Sequence, residues 1–258
     1  MPAPPALAAL RARLGAVAVP AARHGAVAFG NPQVDAHLPP GGLLRGTLHE
    51  IMAEGIEAET GALAAAFAAL LLGRLLTRAG EGRPVIWIAC RTDLYPPGLA
   101  AYGLDPARLL LVRSGGDAPT LGAAEMALGD GAAAAVVVET GAFPRLAGRR
   151  LKLAAEAHGS TGLVLRRWPN GRNAAAAAGR ADGTAAATRW RIAAAPSLPE
   201  GRAPGPPRWQ VTLTHARGGR PGEWTMTPIA GEADAPDTVR VAAGLANVAG
   251  GAPRQRRA

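Results

Sequence analysis

From Thr47 onward the chain alternates strand-like, largely apolar stretches with helix-like ones, and that alternation restricts the fold more than any other feature. TLHEIMA, RPVIWIAC, RLLLVRS, AAAVVVET and TGLVLRR read as strands. Between them lie a long helix from Glu59 to Gly80, a short helix opened by Pro96 and Pro97, TLGAAEMALGDG with Thr120 or Asp117 near its start, and Phe143 to Gly159. Strands that are apolar throughout, rather than at every second residue, are covered on both faces, the condition of a parallel sheet between helix layers. After Arg167 the pattern changes. WPNGRNAAAAAGRADGTAA reads as a loop, while TRWRIA, RWQVTLTHAR and GEWTMTPI alternate apolar with polar, as antiparallel strands with one wet face do. The expectation is an α/β fold: a parallel sheet with helices on both faces and an antiparallel extension at the C-terminal end. Leu7, Leu10, Leu14 and Val17 predict an amphipathic helix within residues 1–22, ahead of a core over 23–230. Residues 231–258, poor in large apolar side chains and ending RQRRA, are expected to form a flexible basic tail.

Alanine fills 61 of the 258 positions, while Leu, Ile, Val and Phe together fill 52, so the core must be built from few large side chains. A single cysteine, Cys90, excludes an internal disulfide. The histidines (24, 37, 49, 158 and 215) are scattered without ligand spacing, and neither Ser114 nor Ser160 sits in a nucleophile elbow, so no metal site and no nucleophile is expected. No apolar run reaches membrane-spanning length, and the N-terminal stretch reverses the charge-then-apolar order of a signal peptide; the expected place is the cytoplasm, with no membrane contact.

Of 28 basic residues 27 are Arg; the one Lys is Lys152. Residues 1–139 carry 10 basic and 12 acidic groups (net −2), residues 140–230 carry 14 and 4 (net +10), and residues 231–258 carry 4 and 3 (net +1). A uniform compositional bias would spread arginine evenly, so this excess points to a polyanion or an acidic partner. Arg166, Arg167, Trp168, Arg172 and Arg180 cluster at and after the last parallel strand, with residue types that suit phosphate contact and base stacking on single-stranded DNA. Arg145, Arg149, Arg150 and Lys152 read as the solvated face of a helix, and Arg254, Arg256 and Arg257 form a candidate docking motif in the tail.

GAVAFGNPQVDAHLPPGGLLRGTLHEIMA, YGLDPARLLLVRSGGDAPTLGAAEMAL and AAAVVVET, in that order, resemble the RecA ATPase core over roughly residues 25–230. The resemblance places the phosphate loop at residues 53–60, where Ala53 and Ala58 stand at the two glycine positions, Gly55 lies between them, Glu59 replaces the lysine, and only Thr60 fits. Three glutamates in that loop would each repel a triphosphate by on the order of a few kcal/mol. Glu139 stands where the Walker B acid would be, and Arg91 where the resemblance implies a catalytic glutamate. The implied outcome is a degenerate nucleotide site without catalysis and without cofactor.

A RecA-like core with a corrupted phosphate loop, a GGL…RG…HE entry and a basic C-terminal third resembles the ImuA family. That resemblance implies an accessory factor of damage-induced, mutagenic translesion synthesis (part of the SOS response). Its implied partners are an ImuB-like inactive Y-family polymerase homologue and an error-prone replicative-type DNA polymerase, with RecA and single-stranded DNA as further candidates. Two alternatives stay open: a RecA-like ATPase with a non-standard nucleotide mode, and an inhibitor of cell division similar to SulA.

Overall fold

The computed structural model describes residues 23–39, 42–55, 57–76, 82–91, 93–167, 185–198, 205–229 and 239–241. An opening segment holds the two-residue strands β1 (Ala26–Val27) and β2 (Leu43–Leu44), paired antiparallel around the short helix α1 (Pro32–Asp35). The main sheet follows: β3 (Leu48–Ala53), β4 (Val85–Ala89), β5 (Leu109–Arg113), β6 (Ala135–Thr140), β7 (Thr161–Arg166), β8 (Thr188–Ala195), β9 (Arg208–Ala216), β10 (Gly222–Pro228) and β11 (Val239–Val241). Its spatial order is β11-β10-β9-β8-β3-β7-β6-β4-β5. All neighbours from β8 to β5 are parallel, and those from β8 outward to β11 are antiparallel. The α/β architecture expected from the sequence is present, parallel core and antiparallel extension included, and it is consistent with a RecA-like fold.

Helix α2 (Glu57–Leu76) covers one face, packing on β3, β7 and β8; the short helix α3 (Pro96–Leu99) lies against it. Its middle is apolar on every side, and Ala64 to Leu72 are all buried between the sheet and the opening segment. Gly73 eases the packing there. A Cβ at that position would come 3.0 Å from the backbone oxygen of Gly103, so glycine lets the helix approach the turn after α3 without displacing it. The scarcity of large aliphatics is met on this face by aromatic rings. Phe29 and Phe67 lie 5.9 and 5.4 Å from Trp190, whose ring is 6.5 Å from Trp224, while Tyr102 lies 5.5 Å from Trp209. Rings of this size pin the antiparallel strands to α2.

Helices α4 (Asp117–Asp130) and α5 (Arg145–His158) pack side by side on the other face. There Ala124, Leu128, Leu151 and Ala155 meet Leu48, Ile88, Val136 and Val138. The rule of covered faces is only partly met at the edge: β5 has one neighbour, and Leu110 and Leu111 are exposed. The expectation of a tail without structure from residue 231 is corrected at β11. Val239 is buried and the strand pairs with β10, because Val-Arg-Val supplies the alternation an edge strand needs. The predicted helix within residues 1–22 lies outside the described residues.

Candidate functional site at the carboxyl ends of the parallel strands

Open α/β sheets bind ligands beyond the carboxyl ends of their strands, at the point where successive connections leave for opposite faces. In this sheet α2 leaves β3 for one face while α4 and α5 cover the other, so the point lies beside β3. The charged residues that interrupt the apolar strands gather there.

Arg166 and Arg167 end β7 and follow it, and adjacent residues of an extended chain point to opposite faces. On the α4–α5 face, Arg166 donates from Nη1 to Oε1 of Glu50 at 2.9 Å and from Nη2 to the Gly141 carbonyl at 2.8 Å, with its guanidinium 5.8 Å from the Phe143 ring centroid. Arg189 of β8 donates from Nε to the other oxygen of Glu50, also at 2.9 Å. The Glu50 side chain is 1% exposed, so this carboxylate is held inside the protein between two guanidinium groups.

On the α2 face, Arg167 donates from Nη1 to Oε2 of Glu139 at 2.6 Å, and the Trp87 indole N–H donates to Oε1 at 2.7 Å. The same guanidinium reaches Asp93 at 2.9 and 3.2 Å, and Arg91 donates to Asp93 from outside at 2.9 Å. Burial raises the Asp93 carboxyl, but the hydrogen bond and charge of Arg167, with Arg91 behind them, outweigh it and hold the group below its ordinary value. Glu139, which the resemblance puts at the Walker B position, therefore has both oxygens engaged by protein donors. Arg91, at the position where the resemblance implies a catalytic glutamate, serves the same cluster.

His49 is buried on β3 with both ring nitrogens satisfied. Nε2 lies 2.8 Å from the Leu44 carbonyl, which only accepts, so Nε2 carries the proton. Nδ1 then accepts from the Thr188 hydroxyl at 2.7 Å, and that oxygen accepts from the Trp190 indole. Burial lowers the imidazole to about 4, against the opposing pull of the Leu44 hydrogen bond and with a small push from Arg217. This histidine is a neutral core strut.

Ala53 is the last residue of β3 and pairs with Ile192, and α2 begins at Glu57. Gly55 takes φ 110°, and a Cβ there would lie 2.9 Å from the Thr60 methyl, so the turn folds directly onto buried Thr60. The side chains of Ala58 and Glu59 lie outside the described residues. So do Trp168, Arg172, Arg180, Arg254, Arg256 and Arg257. Among the described residues no group of three His, Cys, Asp or Glu could hold a metal ion, and no helix is long and apolar enough to cross a membrane.

No family model matches the chain. Protein ImuA of Caulobacter vibrioides (strain NA1000 / CB15N) is 45% identical over 202 residues, which cover 78% of this chain and 82% of that protein. The chain belongs to the ImuA family. Protein ImuA of a second Caulobacter vibrioides strain (ATCC 19089 / CIP 103742 / CB 15) matches to the same extent. The crystal structure of SulA from Pseudomonas aeruginosa is similar at 25% identity and a TM-score of 0.38, over 46% of this chain and 96% of that one; a likeness at that level carries no argument.

In this ImuA-family chain part of the arginine excess is paired within the protein. Arg166, Arg167, Arg189 and Arg191 all come from the +10 segment and pair with Glu50, Glu139, Asp93 and Glu54 from the first 139 residues. Sequence reasoning groups Arg166 and Arg167 with a solvent-facing DNA contact; the structure places both guanidinium groups on carboxylates, with the side chains 14% and 11% exposed. Glu50, Trp87, Asp93 and Arg189 are missed by that reasoning. A glutamate inside an otherwise apolar strand, as in LHEIMA and AVVVET, is the available signal, since a charge there must find a buried partner.

Proposed function

We propose that this ImuA-family protein is a non-enzymatic scaffold of damage-induced, error-prone translesion synthesis. It links an ImuB-like inactive Y-family homologue to an error-prone replicative-type DNA polymerase in the cytoplasm, with RecA as a further partner. Membership of the family supports the place in the mutagenic cassette. The observation that carries the non-catalytic part is the engagement of Glu139 by Arg167 and Trp87. A Walker B acid must present an oxygen toward Mg²⁺ and its water shell, and here a guanidinium already occupies the outer side of that carboxylate. With glutamate at the lysine position of the loop, Thr60 alone retains a nucleotide-site identity.

Deleting the gene is expected to reduce damage-induced mutation to the uninduced level. Both the wild-type gene and Thr60→Ala should restore it, because the hydroxyl holds no metal. Loss of complementation by Thr60→Ala, with the protein present at normal levels, would overturn the scaffold reading in favour of a working nucleotide site.

Single-stranded DNA is the proposed ligand of the stretch entered at Arg166 and Arg167 and carrying Trp168, Arg172 and Arg180; Arg254, Arg256 and Arg257 are proposed to contact a protein partner. Since Arg166 and Arg167 serve carboxylates inside the protein, the DNA contact is assigned to Trp168, Arg172 and Arg180. Replacing Arg172 and Arg180 by Ala should lower the slope of log affinity against log salt by about 0.7 for each phosphate that is no longer neutralised. An unchanged slope removes this stretch as the DNA contact.

A further inference from the structure

Helix α5 carries the wrong residues on its outer side. Its buried stripe is narrow, formed by Gly148, Leu151 and Ala155, and the opposite side should be polar throughout. Instead Leu146 is 68% exposed and Leu153 is 66% exposed. The two leucines are seven residues apart, about 10 Å along one face. Arg149 and Arg150 lie between them, and Arg145 precedes them; all three are exposed. Arg150 bridges to Glu125 of α4 at 2.7 Å, which sets the two helices side by side. The residue after Glu125 is Met126, 77% exposed on the outer side of α4. Three of the seven large apolar side chains exposed among the described residues thus fall on one pair of helices, and arginines rim them. Neither Arg145 nor Arg149 makes an ion pair among the described residues, whose bridges involve other partners. Helix α5 has Arg145, Arg149, Arg150 and Lys152 against Glu156, a net of +3 (4 − 1) before His158 is counted.

We propose that the outer face of α4 and α5 docks an acidic amphipathic helix of another protein. Such a helix would lay apolar anchors at i, i+3/4 and i+7 along Leu146, Leu153 and Met126, with carboxylates flanking them to meet Arg145 and Arg149. Spacing and charge both select this occupant over the alternatives. Residues 1–22 and 242–258 of this chain carry arginines and no acid, and residues 168–184 carry two arginines and one aspartate. Residues 230–238 are acidic but have no large apolar side chain, and they lead directly into β11, at the opposite edge of the sheet from β5. A second copy docked face to face would set arginine against arginine. No residue of this face belongs to the strand ends.

The test uses the full chain and a synthetic, fluorescein-labelled acidic helix of about 20 residues, Leu at i, i+4 and i+7 on a Glu-rich background, followed by anisotropy. The wild-type protein is expected to bind it saturably, with affinity falling as salt rises, and to ignore a scrambled peptide of the same composition. Leu146→Ser with Leu153→Ser should weaken binding at least about tenfold without lowering Tm, because both side chains are exposed. Arg145→Glu with Arg149→Glu should abolish binding and create binding of the same peptide with Lys in place of Glu, a reversal that a misfolded variant could not give. Absence of saturable binding below about 100 µM, equal binding of the scrambled peptide, or full affinity in both double variants overturns the proposal.

Discussion

Two regions of the molecule concentrate arginine and turn it in opposite directions. At the carboxyl ends of the strands, Arg166, Arg167 and Arg189 face inward onto Glu50, Glu139 and Asp93. On α5, Arg145, Arg149 and Arg150 face water beside exposed leucines. The residue type is the same and the local sequence charge is similar, yet the first group closes a site and the second borders an open surface. What decides is whether a carboxylate on a neighbouring strand is in register. Glu50 stands opposite Arg189 and two residue pairs from Met52–Arg166, whereas Arg150 of α5 has Glu125 as its partner across the helix pair.

The largest effect expected from this difference is on stability. Arg167→Ala leaves Glu139, 4% exposed, without its cation and should lower the unfolding free energy by about 3–5 kcal/mol, while Arg149→Ala stays within about 0.5 kcal/mol. Urea unfolding of the two variants giving equal losses would break the comparison.

Acid sharpens it next. His49 has a folded-state value of about 4 against 6.5 in the unfolded chain, so its contribution to stability is present above pH 6.5 and is lost as pH falls toward 4. The unfolded state binds the proton that the native state refuses, and the loss is on the order of 3 kcal/mol. Asp93, lowered from 3.8, acts in the same direction at lower pH. Unfolding free energies that do not change between pH 7 and 4.5 would contradict the burial of a neutral His49.

The smallest effect belongs to the surface. Arg150→Ala removes a bridge whose arginine is 60% exposed and should cost less than about 1 kcal/mol, vanishing in high salt. A loss that persists in molar salt would mean that the α4–α5 face is structurally coupled to the strand ends.

Most of the fold was legible because β3, β4, β6 and β7 are predominantly apolar rather than alternating and the middle of α2 is apolar all round, patterns that suit a two-sided sheet and a covered helix. Helix and strand limits fell within a few residues of expectation, with α2 starting at Glu57 rather than Glu59. β11 was missed because three residues carry too little periodicity to stand out. The candidate site was legible only in its position. That Glu139 meets Arg167 rather than a metal depends on β6 and β7 being neighbours and on Trp87 arriving from β4, none of which is local in sequence. Net charge by segment is blind to such pairing for the same reason: Arg166 and Arg189 are 116 and 139 residues from Glu50, so a regional sum cannot see that they share its carboxylate.

Equilibrium dialysis of the full chain at micromolar concentration against radiolabelled ATP, with and without Mg²⁺, tests the central claim most directly. The arginine-filled strand ends predict no saturable, Mg²⁺-dependent binding. Saturable binding that needs Mg²⁺ and disappears in Thr60→Ala would contradict the account.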